Sequence, residues 1–129
     1  MKNLDKESVT GISALLVHAA KIDEIYSERE KDLVRKFIKS YLKDEEMDKI
    51  LKKAEEIENN SNQLLNFTNI IKKNSMDVKK NVIEHLWKVI ISDDKVDQYE
   101  SNLMRRICGL IYFPDKECAE IKLKLMNSK

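Results

Sequence analysis

Glycine and proline are nearly missing from this chain, with two and one in 129 residues. The turns of a many-stranded sheet draw on both residues, so their scarcity points away from β architecture. No segment alternates apolar and polar residues for long enough to make a strand. An excess of one charge is missing too: 24 basic and 23 acidic residues leave a formal net charge of +1. General nucleic-acid binding needs surplus Lys and Arg facing phosphates, and an acidic decoy needs the reverse. Cysteine is limited to Cys108 and Cys118, and neither has a Cys or His at zinc-ligand spacing. Two reduced, partly buried thiols are expected there, not a metal site. No apolar run approaches the roughly 20 residues that cross a bilayer. The start, Met-Lys-Asn-Leu-Asp-Lys-Glu, has no apolar signal segment, and the cytoplasm is the expected location. There is no Gly-rich phosphate loop. No Ser/His/Asp or Cys/His arrangement can be read from spacing, so catalysis is not expected.

Charged residues at helical spacing are abundant, at 36% of the chain against 42% apolar. A chain of this length can bury a core, and residues 1–129 are expected to form a single all-α domain of about seven helices. Val9, Ile12, Ser13, Leu16 and Ala20 form the stripe of a first helix over about 5–22. Leu33, Val34, Phe37, Ile38 and Tyr41 serve a second, from Ser27 to about residue 42, and Met47, Ile50, Leu51, Ala54 and Ile57 a third from near Asp44. Asn59 to Asn62 reads as the clearest break. A short fourth helix carries Leu64, Leu65, Phe67, Ile70 and Ile71. Ser75 caps a fifth with Val78, Val82, Ile83, Leu86 and Trp87 on its face. The sixth buries Leu103, Met104, Ile107, Leu110 and Ile111. Pro114 ends it, and Asp115 is expected to cap a seventh.

An acidic helix-start pattern occurs twice, 70 residues apart. Asp23-Glu-Ile-Tyr-Ser27-Glu-Arg-Glu30 aligns without a gap with Asp93-Asp-Lys-Val-Asp97-Gln-Tyr-Glu100. Over the 28 positions from Leu15 to Leu42 five are identical to their partners: Leu16, Asp23, Glu30, Leu33 and Arg35. The chain is therefore expected to hold two pseudo-repeated helical hairpins around a shared core and a pseudo-twofold, with the third and fourth helices connecting them.

The corner acids have two readings. Ser27 with Glu30, and Asp97 with Glu100, have capping-box spacing, and acids suit the positive end of a helix dipole. Such a box contributes on the order of 1 kcal/mol. Alternatively, Asp23 with Glu30 and Asp93 with Glu100 are metal ligands. Hard carboxylate oxygens suit Ca²⁺, Mg²⁺ or Mn²⁺ better than Zn²⁺. The loop is not an EF-hand, because counting from Asp93 the third position is Lys95 and the twelfth is Met104.

The stretch from Leu86 to Leu110, with Ser92-Asp93-Asp94 and Glu100 at its centre, resembles the tellurite-resistance TerB-like family, and Leu15 to Glu30 resembles that family's N-terminal half. The likeness spans about residues 10–126. The family pattern is Ala-Asp-Gly-x-hydrophobic-x-x-x-Glu, once per half. The resemblance implies a compact helical domain tied to tellurite and other chemical stress, with a protein partner that is often membrane-associated and divalent metal at the acidic positions. Carried over residue by residue, those positions are Asp23, Glu30, Asp93 and Glu100. Here Glu24 and Asp94 stand where the family has glycine, so a corner needing positive φ is disfavoured.

Other residues have plainer readings. His18 lies one turn before Asp23 and can reach that corner, or is a packing residue, as His85 is expected to be. Trp87 is expected in the core. Arg35-Lys36 and its counterpart Arg105-Arg106 are expected to form intradomain ion pairs. The last helix, with Ile121, Leu123, Leu125 and Met126 among lysines, docks by one face or supports a homodimer or membrane contact. The expected function is a non-enzymatic, stress-associated module that binds a divalent cation, a protein partner or both. The alternative is an interaction scaffold whose acids only cap helices.

Overall fold

The computed structural model describes residues 4–21, 26–60, 65–91 and 98–127. Several of its helices begin where the sequence supplies a side-chain cap. Asp5 is extended, and its Oδ1 accepts the Ser8 N–H at 2.7 Å to open α1 (Lys6–Ala20). The hydrogen bonds with Ser8 hold the Asp5 carboxyl below its ordinary pKa. Ser27 opens α2 (Glu28–Lys39). Asp44, Glu45 and Glu46 crowd the first turn of α3 (Asp44–Asn60), where the helix dipole favours acids. After α4 (Leu65–Lys72), Ser75 Oγ accepts the Val78 N–H at 3.4 Å to start α5 (Met76–Ile91). Then come α6 (Gln98–Ile111) and α7 (Asp115–Asn127). No strand occurs among the described residues, as the scarcity of turn residues implies.

Two boundaries differ from expectation. Asn59 and Asn60 continue α3 instead of breaking it. Just before them Glu58 bonds two side chains at the end of α1, and tertiary contacts of this kind override the weak helix propensity of Asn. Asp115 is the first residue of α7, not the cap before it. The carbonyl of Pro114 accepts the Cys118 N–H at 3.1 Å, and proline loses nothing at a helix start, where its missing N–H has no partner to lose. Between α6 and α7, Tyr112 takes φ 60°. The Phe113 N–H reaches back to the Cys108 carbonyl at 2.9 Å. That is the six-to-one bond of a Schellman turn, and it delivers Phe113 into the core at 3% exposure.

α1 is the hub. It packs chiefly on α3, and also on α2, α4 and α5. Enclosed on these sides, it buries every residue from Val9 to Val17, then Ala19 and Ala20, so the expected stripe is in fact an almost wholly apolar cylinder. α5, its counterpart in the repeat, buries Val78, Val82, Ile83, Leu86, Trp87, Val89, Ile90 and Ile91. Leu16 and its partner Leu86 are both fully buried. Each such side chain contributes about 1.5–3 kcal/mol relative to exposure.

The repeat is longer than two hairpins. α1 and α5 begin 70 residues apart, as do α2 and α6, while α3 and α7 begin at Asp44 and Asp115, 71 apart. α3 packs on α1 and α2, and α7 packs on α5 and α6. Each hairpin thus carries its own third helix, and only α4 lacks a counterpart. It fills the space against α1, α5 and α6.

Candidate functional site at the acidic helix corners

Glu30 is the third residue of α2 and Glu100 the third of α6. The repeat therefore sets the two carboxylates at one equivalent place in two helix starts, and both are buried, at 2% and 5% exposure. An acid in a first turn is commonly exposed, and a buried carboxylate is costly unless hydrogen bonds satisfy it. At Glu30 they do. Its Oε1 accepts the Ser27 N–H at 2.8 Å and the Ser27 hydroxyl at 3.2 Å, while Ser27 Oγ accepts the Glu30 N–H at 3.2 Å. This is a complete capping box. The second box rests on Asp97, which lies outside the described residues. So do Asp23, Asp93, Glu24 and Asp94.

The two corners share α5 and otherwise have different neighbours: α2 packs on α1, α3 and α5, and α6 on α4, α5 and α7. Around the first corner α3 adds acids that sequence reasoning did not assign. Glu55 Oε2 accepts the Tyr26 hydroxyl at 2.6 Å, and burial together with this carboxylate pushes the Tyr26 pKa up. Glu58 takes Lys21 Nζ at 2.8 Å and faces His18 Nδ1 at 3.2 Å. His18 thus meets α3. Lys21 and Lys31 lie 5.9 and 5.2 Å from the Tyr26 ring centre, within cation–π range. A shallow cavity of about 390 Å³ opens here, lined by Lys21, Tyr26, Lys31 and Glu55 among others. The available signal was the spacing of Glu55 and Glu58 beside the apolar face of α3, but nothing in the sequence says that this face turns to the first corner.

Arg35 forms the expected ion pairs, donating to Glu28 at 3.0 Å, Asp32 at 2.5 Å and Asp48 at 3.2 Å. Its pKa is raised, chiefly by the hydrogen bond to Glu28, and the contacts pin α2 to α3. Carboxylate oxygen is the donor type that suits a hard divalent cation. Glu30 and Glu100 would supply one carboxylate each, and a cation drawn to Glu30 Oε1 competes with the Ser27 hydrogen bonds. Among the described residues no group of three or more His, Cys, Asp and Glu residues is placed to hold a metal ion.

Two three-helix units with α4 between them, each unit with a buried glutamate at the start of its second helix, define an all-helical repeat domain. The family model for tellurite resistance protein TerB matches residues 10–123, most of the chain, and the chain belongs to that family. No curated protein and no solved structure matches it.

Proposed function

We propose that this chain is a non-enzymatic, stress-associated TerB module that takes a divalent cation at its acidic corners. Asp23 with Glu30 and Asp93 with Glu100 are the ligands, and Ca²⁺, Mg²⁺ or Mn²⁺ is favoured over Zn²⁺ by the hardness of carboxylate oxygen. The observation that carries the reading is the equivalent burial of Glu30 and Glu100, since capping alone does not require a carboxylate to leave water. In this reading the module works in the cytoplasm and docks a protein partner, membrane-associated in keeping with its family, through its charged surface. No helix among the described residues is long and apolar enough to cross a membrane.

The test is a thermal melt of metal-stripped protein in each of the four ions. A cation at 100 times its dissociation constant adds about 2.7 kcal/mol. One ion is expected to raise the Tm, and Asp23→Asn with Asp93→Asn to abolish the rise. Glu30→Gln with Glu100→Gln sharpens the result, because glutamine serves a capping box as glutamate does but lacks the charge. Loss of the ion effect without loss of basal stability supports ligation. No ion effect in the parent protein sinks it. The completed Ser27–Glu30 box favours the second reading, a partner-binding scaffold with structural acids, in which every ion leaves the Tm unchanged.

A further inference from the structure

The two cysteines stand ten residues apart in sequence, and the α6–α7 turn brings them together. Cys108 accepts the Schellman hydrogen bond at the end of α6, and Cys118 closes the first turn of α7. Between them the chain reverses through Tyr112 at positive φ and Pro114. Both side chains are buried and unbridged, and the two thiols lie close enough that each shifts the pKa of the other. Trp87, from α5, donates its indole N–H to Cys118 Sγ at 3.3 Å. Lys122, one turn further along α7, holds its Nζ 5.3 Å from the centre of the Trp87 ring. Cys118 sulfur thus receives the indole hydrogen bond with an ammonium nearby, a setting that favours a thiolate.

We propose that Cys108 and Cys118 are a redox-active dithiol that a small hydroperoxide closes to an intrachain disulfide, with Cys118 attacking and Cys108 resolving. The ordering follows from the surroundings. The Cys108 thiol beside it and the Trp87 hydrogen bond lower the Cys118 pKa, with help from Lys122 and against burial and Asp115. Cys108 is pushed up by Cys118 beside it and by burial, so it stays a thiol. Cys118 is 6% exposed and Cys108 1%, which admits a small oxidant better than a bulky one.

In the first step Cys118 thiolate attacks the terminal oxygen of the hydroperoxide. The O–O bond breaks, Cys118 becomes a sulfenic acid, and the alkoxide or hydroxide takes a proton from solvent. In the second step Cys108 sulfur attacks Cys118 sulfur. The S–S bond forms, the S–O bond breaks, and water leaves with the Cys108 proton. One hydroperoxide is consumed per disulfide, and its product is an alcohol or water.

The test treats the full chain with hydrogen peroxide, then denatures it in an alkylating agent. Expected are an intact mass lower by two hydrogens, no alkyl adducts, and a peptide joining Cys108 to Cys118. Trp87 is the only tryptophan, so its fluorescence should change as the disulfide forms and recover with dithiothreitol. Cys108→Ser should stop at a Cys118 sulfenic acid that dimedone captures. In Cys118→Ser, Cys108 should react about tenfold more slowly than Cys118 does in the parent chain. Full alkylation of both cysteines after peroxide overturns the proposal, as does a Cys118→Ser chain whose Cys108 reacts at the parent rate. The parent-chain mapping decides the matter even if a variant does not fold.

Discussion

At the scale of single residues, His85 and Ser13 show what burial does to a polar group. His85 donates from Nδ1 to the Asn81 carbonyl at 3.0 Å and meets the Phe37 ring edge-on. Burial, with a smaller contribution from Lys88, lowers its pKa from 6.5, against the Asn81 hydrogen bond and Glu84. The unfolded chain therefore binds a proton below pH 6.5 that the folded chain refuses. Stability must fall as pH drops from 6.5 toward the folded pKa, by at most about 1.4 kcal/mol per pH unit, the limit for one proton. His85→Leu, which installs the residue found at the repeat-equivalent Leu15, is expected to flatten that segment of a denaturation-against-pH curve. Asp5 acts in a different window: its carboxyl is held below 3.8, so its contribution persists above 3.8 and is lost only at more acid pH. Ser13 is fully buried, and its hydroxyl has no hydrogen-bond partner among the described residues. Ser13→Ala should then raise stability by about 1 kcal/mol in chemical denaturation, and a loss of that size would mean the hydroxyl is satisfied.

At the scale of elements, much of the chain was legible, because helix starts and apolar spacing are local. Ser27, Glu30 and Ser75 act as their positions predict, and Arg35 finds acids on its own helix. What was not legible is which helix lies against which. Cys108 and Cys118 read as two unrelated thiols until the reversal at Tyr112 is known, and nothing in the sequence says that His18, read as a packing residue or one within reach of its corner, meets Glu58 of α3. Asp23 and Asp93 lie outside the described residues, so their part of the candidate site stays at the level of sequence. One close approach tests the packing directly. Gly11 on α1 faces α4, and a Cβ there would meet the Cδ1 of Ile70 at 2.4 Å. Gly11→Ala gains about 0.5–1 kcal/mol of helix preference but must push that methyl aside. Ile70→Val removes the same methyl at a cost of about 0.5–1.5 kcal/mol. The double variant should be more stable than the sum of the singles, with a coupling of at least about 0.5 kcal/mol; additivity would mean that α1 and α4 do not touch there.

At the scale of the whole molecule, the repeat does not make two independent halves. α1 belongs to the first unit yet packs on α4 and α5, and α5 belongs to the second yet packs on α1 and α2. The buried residues of all seven helices join one core. Removing either unit would expose the faces of α1 or α5 that are now covered from Val9 to Ala20 or from Val78 to Ile91, and a fragment that exposes so much apolar surface has little left to offset its chain entropy. The full chain should therefore unfold in one cooperative step. Trp87 reports only on the α5–α7 side, through its contact with Cys118, whereas far-ultraviolet circular dichroism reports on every helix. The two probes are expected to trace the same urea transition, with the same midpoint and slope. A Trp87 transition displaced from the loss of helix would show the second unit unfolding on its own, and the interlocking of α1 with α5 would then contribute little to stability.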